Sequence, residues 1–535
     1  MRKFFWVAGT FALMCAGLGI YAQAWSTTLL TATRLQLDLN TPDVLIRTKS
    51  LSRLPADLLR VPLLRDLLSE DFLFYYEHGE DRLGLRGTIR RIAYEHNETF
   101  TDDIIKLTLN ETAEIALWRG KRGDLKYYSL AMTRNQLAKI LEPIAKIALK
   151  DRQLTLVGET NIEGETVKFF ALNYGWEKTL LFASRGDRVI VFSEPGMVLN
   201  EKGLIDPSAF GILSALLSKD AEKQRLHTRA FQLNATENDH SIAVRTDFLA
   251  FSYQAFFPAL KALRFDFSGN TGKGATAWST ALLVDVQPSS TPTAGTRALW
   301  SALPGKPGLC AAIPADWKRL AGAVSVKSRV KPFAEKLSAQ LEGPGAVCWY
   351  AQSRLHTPLF IARLSSTNGS DEALSAVYSY GMNGEDQGEE DAPPAPYATP
   401  TTNPAGDKVW QVGDERRGGW RPMLARNGNY VYFSPDPALV EQALAVSHKL
   451  QPALSDGWAN ADSAATLAVI FPKQLTQLAK QEVTISLPTD KNQVLRDAAE
   501  RHLFPRLTAI EKYTPLRMQL QQEKYTSGWV ALDWR

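Results

Sequence analysis

The chain has 535 residues, 45% of them hydrophobic and 22% charged, and its 61 basic and 57 acidic residues give a net charge of +4. This length is too great for one hydrophobic core and predicts two or three domains, while the composition excludes a disordered or multi-span membrane protein. A net charge this close to zero argues against a nucleic-acid partner, because such proteins concentrate Lys and Arg on one face.

The amino terminus has the pattern of a membrane signal. Arg2 and Lys3 precede an uncharged run, residues 4–22, which as a helix would be about 28 Å long and would match the roughly 30 Å hydrocarbon layer of a bilayer. The positive residues keep the amino terminus in the cytoplasm and place the rest of the chain outside. We therefore expect segment 1–24 to be a signal anchor. The alternative is a signal cleaved after Ala24, since the Ala-Gln-Ala that ends there fits an A-x-A site.

Residues 25–286 are predicted to form a first module, because runs of alternating or β-branched residues are separated by stretches with apolar residues at helical spacing. The predicted strands are residues 33–39, 113–118, 127–132, 154–157, 167–172, 180–184, 189–192, 241–244 and 277–286. The predicted helices are residues 51–68 in two pieces, 133–148, 206–217 and 248–263. Residues 71–96 form a predicted hairpin, in which Phe72, Phe74 and Tyr76 alternate before a polar turn.

A strand followed by a serine and an early proline occurs twice. The first copy is the strand at residues 189–192, which ends at Ser193, and the second is the strand at residues 430–433, which ends at Ser434. Serine at a helix start can accept hydrogen bonds from free backbone N–H groups, and proline has no N–H to leave unpaired. Each copy therefore predicts a strand, a cap and a helix.

Other landmarks recur in the same order at nearly constant separation. The recurring pairs are Ser52 with Ser301, Trp118 with Trp349, and Ser279 with Ser527. A period this long predicts a duplicated domain, since solenoid repeats are far shorter, and chance similarity of short strand motifs is the alternative. The Pro- and Thr-rich segment 287–297 is the predicted linker, and residues 298–535 are the second module. Its acidic, Pro-rich stretch 384–404 is a predicted mobile surface loop.

Two of the three cysteines fall in the second module. Cys310 and Cys348 each lie in a short apolar, strand-like run, whereas Cys15 belongs to the predicted anchor. In an oxidising compartment two lone cysteines in one domain can pair, which would stabilise the fold by roughly 4 kcal/mol. We expect this disulfide. Two buried free thiols are the alternative, because Cα spacing cannot be read from a sequence.

No motif with catalytic or ligating geometry is found in the sequence. The seven histidines form no H-x-x-x-H pair, and the acidic turn at residues 77–81 does not have the spacing of a calcium-binding loop. Ser328 and Lys331 satisfy S-x-x-K, but the S-D-N and K-T-G motifs that accompany it in penicillin-recognising enzymes are missing. We therefore predict no catalytic, cofactor-binding or metal site.

Three stretches carry a resemblance to a known family. They are LLRDLLSEDFLFYYEHGEDRLGLRGTIRRIAYEH at residues 63–96, AEIALWRG from Ala113 and LAKILEPIAKIAL from Leu137. They resemble an uncharacterised Gram-negative envelope family of the YfaA type, a domain of unknown function. The resemblance implies a periplasmic protein, anchored in the inner membrane by residues 4–22, that is associated with a bacterial α2-macroglobulin-like protease trap. A signal cleaved after Ala24 would instead leave a soluble periplasmic protein.

We expect an α+β fold of two tandem related modules, built from antiparallel sheets with helices packed on one face. The function predicted first is non-catalytic protein–protein interaction, as an accessory to the trap that the resemblance implies. One alternative is a periplasmic carrier or sensor of an apolar ligand, whose cavity is lined by aromatic side chains, those of Phe72, Phe74, Tyr75, Tyr76 and Trp118. A second alternative is a hydrolase whose site is assembled only in the fold.

Overall fold

The fold is that of a computed structural model of the chain. The residues that it describes are 34–51, 53–61, 112–121, 123–133, 154–175, 178–233, 238–249, 259–268, 277–285, 293–315, 317–322, 329–383, 397–411, 421–456, 458, 466–486, 496–497, 499–520 and 528–534. The predicted anchor at residues 4–22, the predicted hairpin at 71–96 and most of the predicted helix at 133–148 lie outside them. Within these ranges, no helix combines the length and the apolar character needed to cross a membrane.

The described ranges contain twenty strands. Strands β1–β10 are Val44–Thr48, Ala113–Arg119, Leu125–Thr133, Leu154–Ile162, Glu165–Gly175, Lys178–Arg185, Arg188–Phe192, His240–Arg245, Leu260–Ser268 and Ala277–Val284. Strands β11–β20 are Leu309–Pro314, Leu341–Trp349, Leu359–Leu364, Thr401–Thr402, Lys408–Gln411, Met423–Asn427, Tyr430–Ser434, Thr466–Ile470, Leu516–Leu520 and Gly528–Trp534. The expected mixture of helices and antiparallel sheet is confirmed, with strands predominating.

The helices are short in the first part of the chain and longer in the second. Helices α1–α6 are Leu54–Leu59, Phe210–Leu216, Ala221–Gln224, Leu226–Ala230, Thr246–Leu249 and Thr293–Trp300. Helices α7–α12 are Trp317–Gly322, Lys331–Gln340, Ser370–Asn383, Pro437–Ser447, Pro472–Ser486 and Phe504–Ile510. Single turns of 3₁₀ helix occur at Pro195–Met197 and Pro207–Ala209, and a π-helical turn occurs at Ala499–Leu503.

The described residues fall into two compact units. Unit 1 takes its residues from Met1–Val61, Glu70–Ala243 and Asp266–Ala277, and unit 2 from Pro62–Ser69, Val244–Phe265 and Trp278–Arg535. This division differs from the predicted boundary at residue 286, because β10 pairs antiparallel with β20 and so belongs to unit 2. The predicted linker 287–297 is also partly helical, since α6 begins at Thr293.

In unit 1 the strands lie in the order β8–β1–β2–β3–β7–β6–β5–β4, and the pairs from β1 to β4 are all antiparallel. Alternation along β7 directs Ile190 and Phe192 to one face, where both are fully buried. Strands β4 to β7 follow one another through short turns, so β4 stands at the end of the row.

In unit 2 the strands lie in the order β18–β11–β12–β13–β17–β16–β15–β14, again antiparallel throughout. Beyond β18 the row continues through β19 and β20 to β10. The last strand at the other end, β14, has only two residues, Thr401 and Thr402.

Two hairpins contain the stretch that is repeated in the sequence. β6 and β7 are joined through Gly186, and β16 and β17 through Gly428, with φ values of 57° and 52° that glycine adopts readily. In both β7 and β17 the first and fourth residues are partly buried and the others are buried. The strands predicted at residues 189–192 and 430–433 are thus confirmed to within one residue.

The serines predicted to cap helices do not do so. Ser434 ends β17, and α10 begins at Pro437, where Asp436 accepts from the backbone N–H of Ala438 at 3.0 Å. After β7 the chain forms only the 3₁₀ turn Pro195–Met197, with no side-chain cap. Aspartate is as good an N-cap as serine, and it stands directly before the proline that starts the helix.

Helices cover both faces of the sheet in unit 2. Adjacent residues of β17 point to opposite faces, so that Tyr432 packs in one apolar cluster with α6 and α10, while Val431 packs in another with α8 and α9. The prediction of helices on one face is therefore wrong for unit 2. The physical reason is the run of consecutive apolar residues from Val431 to Phe433, which is typical of a strand buried on both sides.

The predicted disulfide between Cys310 and Cys348 is confirmed. The two residues stand opposite each other in the antiparallel pair β11–β12, with their Cα atoms 4.0 Å apart. Both are fully buried in the apolar cluster that α6 and α10 cover. The bond therefore joins two strands that are already neighbours in the sheet.

Part of the stretch predicted as a mobile loop, 384–404, is ordered. The backbone N–H of Ala398 donates to Ser379 Oγ at 2.7 Å, and the ring of Tyr397 lies edge-on to that of Phe333. These contacts hold the end of the stretch against α8 and α9 before β14 begins. Residues 384–396 lie outside the described ranges.

Candidate functional site

The aromatic residues predicted to line a cavity do not do so where they are described. Trp118 is buried, its indole N–H donates to the Asp38 carbonyl at 2.9 Å, and its ring lies edge-on to that of His227. Residues 72–76 lie outside the described ranges. In unit 2, an apolar cavity beside Trp317 and Phe360 has a volume of about 90 Å³. Ligand pockets begin at about 300 Å³, so this cavity is too small for a carrier site.

One buried group has the composition of a hydrolase triad. His240 lies between Thr48 and Asp57, with Nδ1 2.8 Å from the threonine hydroxyl and Nε2 3.0 Å from the carboxylate. None of the three residues is more than 2% exposed. A substrate cannot reach a group so deeply buried, so its role is to hold β1, β8 and α1 together.

A second carboxylate–histidine pair lies in unit 2. Asp407 is buried and contacts His448 Nε2 at 2.9 Å. Burial opposes its ionisation, but hydrogen bonds from Asn427, His448 and Asn403 outweigh burial and hold the pKa of Asp407 below its usual value. The pair therefore ties the β14–β15 and β16–β17 turns to the end of α10.

The remaining motif from the sequence is also occupied by structural contacts. Lys331 Nζ donates to the Ala321 carbonyl at 2.9 Å, and Ser328 lies outside the described ranges. No three His, Cys, Asp or Glu side chains in the described part of the chain are placed to hold a metal ion.

A surface cleft of about 560 Å³ lies in unit 1, and we call it the edge cleft. Residues 158–160 of β4 form one wall, and residues 204–207 with Phe210 form the other. Leu204 is 60% exposed and Phe210 is 43% exposed, although both side chains are large and apolar. The cleft therefore presents apolar surface to solvent next to the edge of the sheet.

The first wall is an edge strand. Among the described strands β4 pairs only with β5, and the register shifts between Leu156 and Gly158, a β-bulge in which Val157 is the extra residue. A Cβ atom built on Gly158 would have no heavy atom within 4 Å. The missing side chain therefore keeps the cleft open.

Asn200 shapes the opposite wall. Its Oδ1 accepts from the backbone N–H groups of Lys202 and Leu204 at 3.0 and 3.1 Å, and Gly203 completes the turn with a φ of 71°. Asparagine favours such turns because its short side chain can bond to the backbone that follows it. Leu204 is thus held at the tip of a fixed turn.

Asp206 positions the rest of this wall. Its carboxylate accepts from the backbone N–H of Ser208 at 2.8 Å and pairs with Arg34 Nε at 3.1 Å. The hydrogen bonds from Ser208, with a smaller effect of the Arg34 charge, lower the pKa of Asp206. Asp206 thereby caps the 3₁₀ turn Pro207–Ala209, after which α2 begins at Phe210.

The β4–β5 hairpin ends in a two-residue turn, Glu163 and Gly164. Their φ values of 49° and 84° are both positive, as in a type I′ turn, whose twist matches that of paired strands. Arg185, which is buried, contacts Glu163 at 2.6 Å and Glu165 at 3.0 Å. Ion pairs therefore fasten the turn to the segment after α2; we call them the hairpin clamp, formed by Glu163, Glu165, Arg185, Lys219 and Lys223.

Comparison with known proteins gives the family of the chain. The family profile described as "Uncharacterized protein conserved in bacteria (DUF2138)" matches residues 5–410 and 414–534. The chain belongs to this family. The uncharacterised protein YfaA of Escherichia coli (strain K12) is 31% identical to it, over 99% of this chain and 95% of that protein. The resemblance to a family of the YfaA type is confirmed, while the periplasmic location and the association with a protease trap stay predictions.

Solved structures show only a weak likeness to this member of the family. Crystal form IV of TP0453 is 11% identical, with a TM-score of 0.22, and the match covers 48% of this chain and 78% of that one. Crystal form III is 10% identical, with a TM-score of 0.21 and coverage of 49% and 82%. Likenesses at this level carry no argument about the fold or the function.

Acidification is expected to weaken the hairpin clamp. Hydrogen bonds from Arg185, Ser218 and Lys223 lower the pKa of Glu163 from 4.5 to about 2. Because the pKa is depressed in the folded state, this contribution to stability is complete above pH 4.5 and is lost as the pH falls toward 2. Glu163→Gln should therefore lower the melting temperature at pH 7, and the gap to the parent should close over that acidic range.

The matched control is Glu159→Gln, which changes a neighbouring exposed glutamate of β4 that has no ion pair with any described residue. Its melting temperature should follow that of the parent at every pH. A gap for Glu163→Gln that is unchanged from pH 7 to pH 3 would contradict the role of the clamp.

The edge cleft is not evident from the amino-acid sequence. Its apolar side chains, Leu204 and Phe210, lie in the stretch NEKGLIDPSAF, residues 200–210. Turn residues dominate this stretch, and apolar residues in such positions are the one available signal of an exposed contact surface. The predicted helix at residues 206–217 is confirmed as a 3₁₀ turn followed by α2.

Proposed function

We propose that this protein acts without catalysis, by binding another protein, and that the edge cleft is its binding surface. The observation that carries the proposal is the edge strand β4, which pairs only with β5 among the described strands and lies beside two exposed apolar side chains, those of Leu204 and Phe210. Soluble proteins usually cover or charge such an edge, and an exposed apolar surface next to it is typical of an interaction site.

Both walls of the edge cleft are held in place by hydrogen bonds and ion pairs, which supports a role in binding. Asn200 and Asp206 hold one wall through side-chain bonds to the backbone, and the hairpin clamp holds the tip of the other. A surface that is already in its binding conformation loses little conformational entropy when a partner docks. The cleft therefore has the preorganisation that a specific interaction requires.

The partner that we propose is an α2-macroglobulin-like protease trap in the bacterial envelope. In this proposal residues 4–22 anchor the chain in the inner membrane, and both units lie in the periplasm. The Cys310–Cys348 disulfide supports an oxidising compartment, because such bonds are rare in the cytosol. A chain cleaved after Ala24 would expose the same cleft as a soluble periplasmic protein.

We also propose that the two units descend from one duplicated module. Eight strands of each unit follow the same pairing order, β8–β1–β2–β3–β7–β6–β5–β4 in one and β18–β11–β12–β13–β17–β16–β15–β14 in the other, which supports the duplication. The two rows differ in their last strand, which has nine residues in β4 and two in β14. In this proposal only unit 1 has a long edge strand at the position where the partner binds.

Filling the edge cleft is expected to abolish capture of the trap. Gly158→Trp adds a large side chain where a Cβ meets no other atom, so the fold should tolerate it while the cleft is blocked. The full-length chain, tagged and solubilised in detergent, is used to capture the trap from solubilised envelopes, and the trap is measured with an antibody. We expect at least a tenfold smaller yield with the variant, about the loss that one hot-spot contact of 1.4 kcal/mol or more produces.

Gly381→Trp is the matched control, because Gly381 lies on an exposed position of α9 in unit 2 and its Cβ would also meet no other atom. Capture by this variant should equal that of the parent. Absence of the trap from the parent's eluate, or equal capture by Gly158→Trp, would refute the proposal.

A further inference from the structure

We infer that the edge cleft takes an extended peptide segment as an additional strand beside β4, with an apolar side chain in the cleft and a Lys or Arg next to it in the peptide sequence. This inference rests on the proposed function and specifies the chemistry of the partner's contact segment. It follows from three features of β4: its free backbone groups, the gap at Gly158 and the carboxylate of Glu159.

The turn of the hairpin determines which backbone groups of β4 are free. In a type I′ hairpin the residues that flank the turn, Ile162 and Glu165, bond to each other, and bonding positions then alternate along the strand. The N–H and C=O groups of Asn161 and Glu159 therefore point away from β5. Nothing in the described part of the chain bonds to them. They offer an extended backbone two donors and two acceptors.

The side-chain positions next to these groups are suited to an apolar residue. Gly158 and Thr160 stand directly across from Phe169 and Val167, which are both buried, so the four residues lie on one face of the sheet. A residue of an added strand opposite Gly158 would point to this same face, into the cleft beside Phe210. Its burial there would cover apolar surface that is now exposed.

The next residue of the added strand would point to the other face, beside Glu159. The carboxylate of Glu159 stands across from Lys168 in the β4–β5 pair, yet the two form no ion pair, and no described residue binds it. Asp206, the other acid of the cleft, is already bonded to Arg34 and Ser208. The free charge is therefore that of Glu159, and a basic side chain complements it.

The same charge argues against a second copy of the chain as the occupant. Two β4 strands paired antiparallel around residues 158–160 would bring two Glu159 carboxylates side by side, which is destabilising. A foreign segment with alternating apolar and basic residues has no such conflict. The mode is addition of a strand to a sheet edge, in which the backbone supplies affinity and alternate side chains supply specificity.

The test uses a labelled heptapeptide of alternating Lys and Val, and the full-length chain in detergent. Binding is measured by fluorescence anisotropy. The inference places the backbone N–H of each Lys toward β4 and that of each Val away from it. N-methylation of the Lys residues should therefore weaken binding at least about tenfold, whereas N-methylation of the Val residues should change it less than about threefold.

Two variants test the side-chain contacts. Gly158→Trp should weaken binding of the Lys-Val peptide at least about tenfold, while Gly381→Trp should leave it unchanged. Glu159→Lys should reduce binding of that peptide by up to about fivefold and improve binding of a Glu-Val peptide by a similar factor, since the ion pair is exposed.

Equal effects of the two N-methylation patterns, or a Lys-Val affinity that Gly158→Trp does not change, would overturn strand addition. Self-association of the chain that Gly158→Trp abolishes in sedimentation would overturn it too, in favour of a second copy. If the trap is captured through the cleft while the peptides fail, the proposed function stands and this inference falls. If the peptides behave as expected while no trap is captured, strand addition stands and the proposed partner falls.

Discussion

Removal of the Cys310–Cys348 disulfide is expected to lower the free energy of unfolding by about 4 kcal/mol, because the bond closes a loop with a sequence separation of 38 residues. In the folded protein, β11 and β12 already hold the two residues opposite each other, so the bond adds few native contacts. Its main effect is to restrict the unfolded chain. The loss of stability on removing the bond should therefore be the same in variants that carry substitutions on the surface of unit 2.

The measurement is urea denaturation of the double variant Cys310→Ala, Cys348→Ala beside the oxidised and the reduced parent protein. The reduced parent and the double variant should lose a similar amount of stability. Thiol titration of the unfolded chain supplies a control on the anchor, since Cys15 is the third cysteine. One free thiol before reduction indicates that the amino-terminal segment is retained, and none indicates that it is cleaved. A transition midpoint that reductant does not move would contradict the prediction.

Asp57→Ala is expected to destabilise unit 1 by about 3–5 kcal/mol, the cost of leaving one partner of a buried polar pair without the other. Asp57 contacts His240 at 3.0 Å and Arg60 at 2.9 Å, and both Asp57 and His240 are almost fully buried. The ring of His240 would then face a cavity without a carboxylate. Because His240 also contacts Thr48, the loss should loosen β1, β8 and α1 together.

A double-mutant cycle separates this effect from the loss of packing. In Asp57→Ala with His240→Leu neither polar group is left alone, so the double variant should lose less stability than the sum of the single variants. Asp239→Ala serves as the control at a pair nearer the surface, in which Lys49 lies 3.5 Å from Asp239 with side chains that are 52% and 24% exposed, and should cost less than Asp57→Ala. Strict additivity in the cycle would show that Asp57 and His240 do not act as a pair.

Removal of the disulfide and Asp57→Ala both change residues outside the edge cleft. They therefore show how loss of stability alone affects capture of the partner. A variant that unfolds will lose any partner, whereas Gly158→Trp is expected to lose the partner without losing the fold. The open space around the Cβ position of Gly158 is the basis for that expectation. Melting curves recorded alongside the capture experiments distinguish the two cases.

The sequence predicted much of the local structure, with two errors in the described ranges. Residues 34–39 do not form the strand expected at 33–39, and residues 260–263 of the helix expected at 248–263 belong to β9. The strand at Ala113–Arg119 was expected at residues 113–118, and β7 and β17 were each expected to within one residue. Alternation and β-branched composition are properties of neighbouring residues, so they can be read along the chain. The start of α10 could not be read in this way, since aspartate and serine are equally good caps and only the fold selects Asp436 over Ser434.

The pairing of strands that are far apart in the chain could not be predicted from the sequence. The residues around Thr280 and Leu532 do not show that β10 pairs with β20. Because of this pairing, residues from Trp278 onward belong to unit 2, whereas the sequence placed the end of the first module at residue 286. The second layer of helices in unit 2 was missed for a related reason. An apolar run such as Val431 to Phe433 shows that a strand is buried on both sides, but not which helices cover it.

The sequence by itself indicated the family and many of the strands, β7 and β17 among them, because these depend on residue type and spacing. It predicted that Cys310 pairs with Cys348, but only the fold places the two residues opposite each other in β11 and β12. Only the tertiary structure decided that residues 158–160 of the edge strand β4 and residues 204–210 line one cleft. The two stretches are far apart in the chain, and each is an ordinary strand or turn alone. The proposed binding surface needs both segments, and only the fold brings them together.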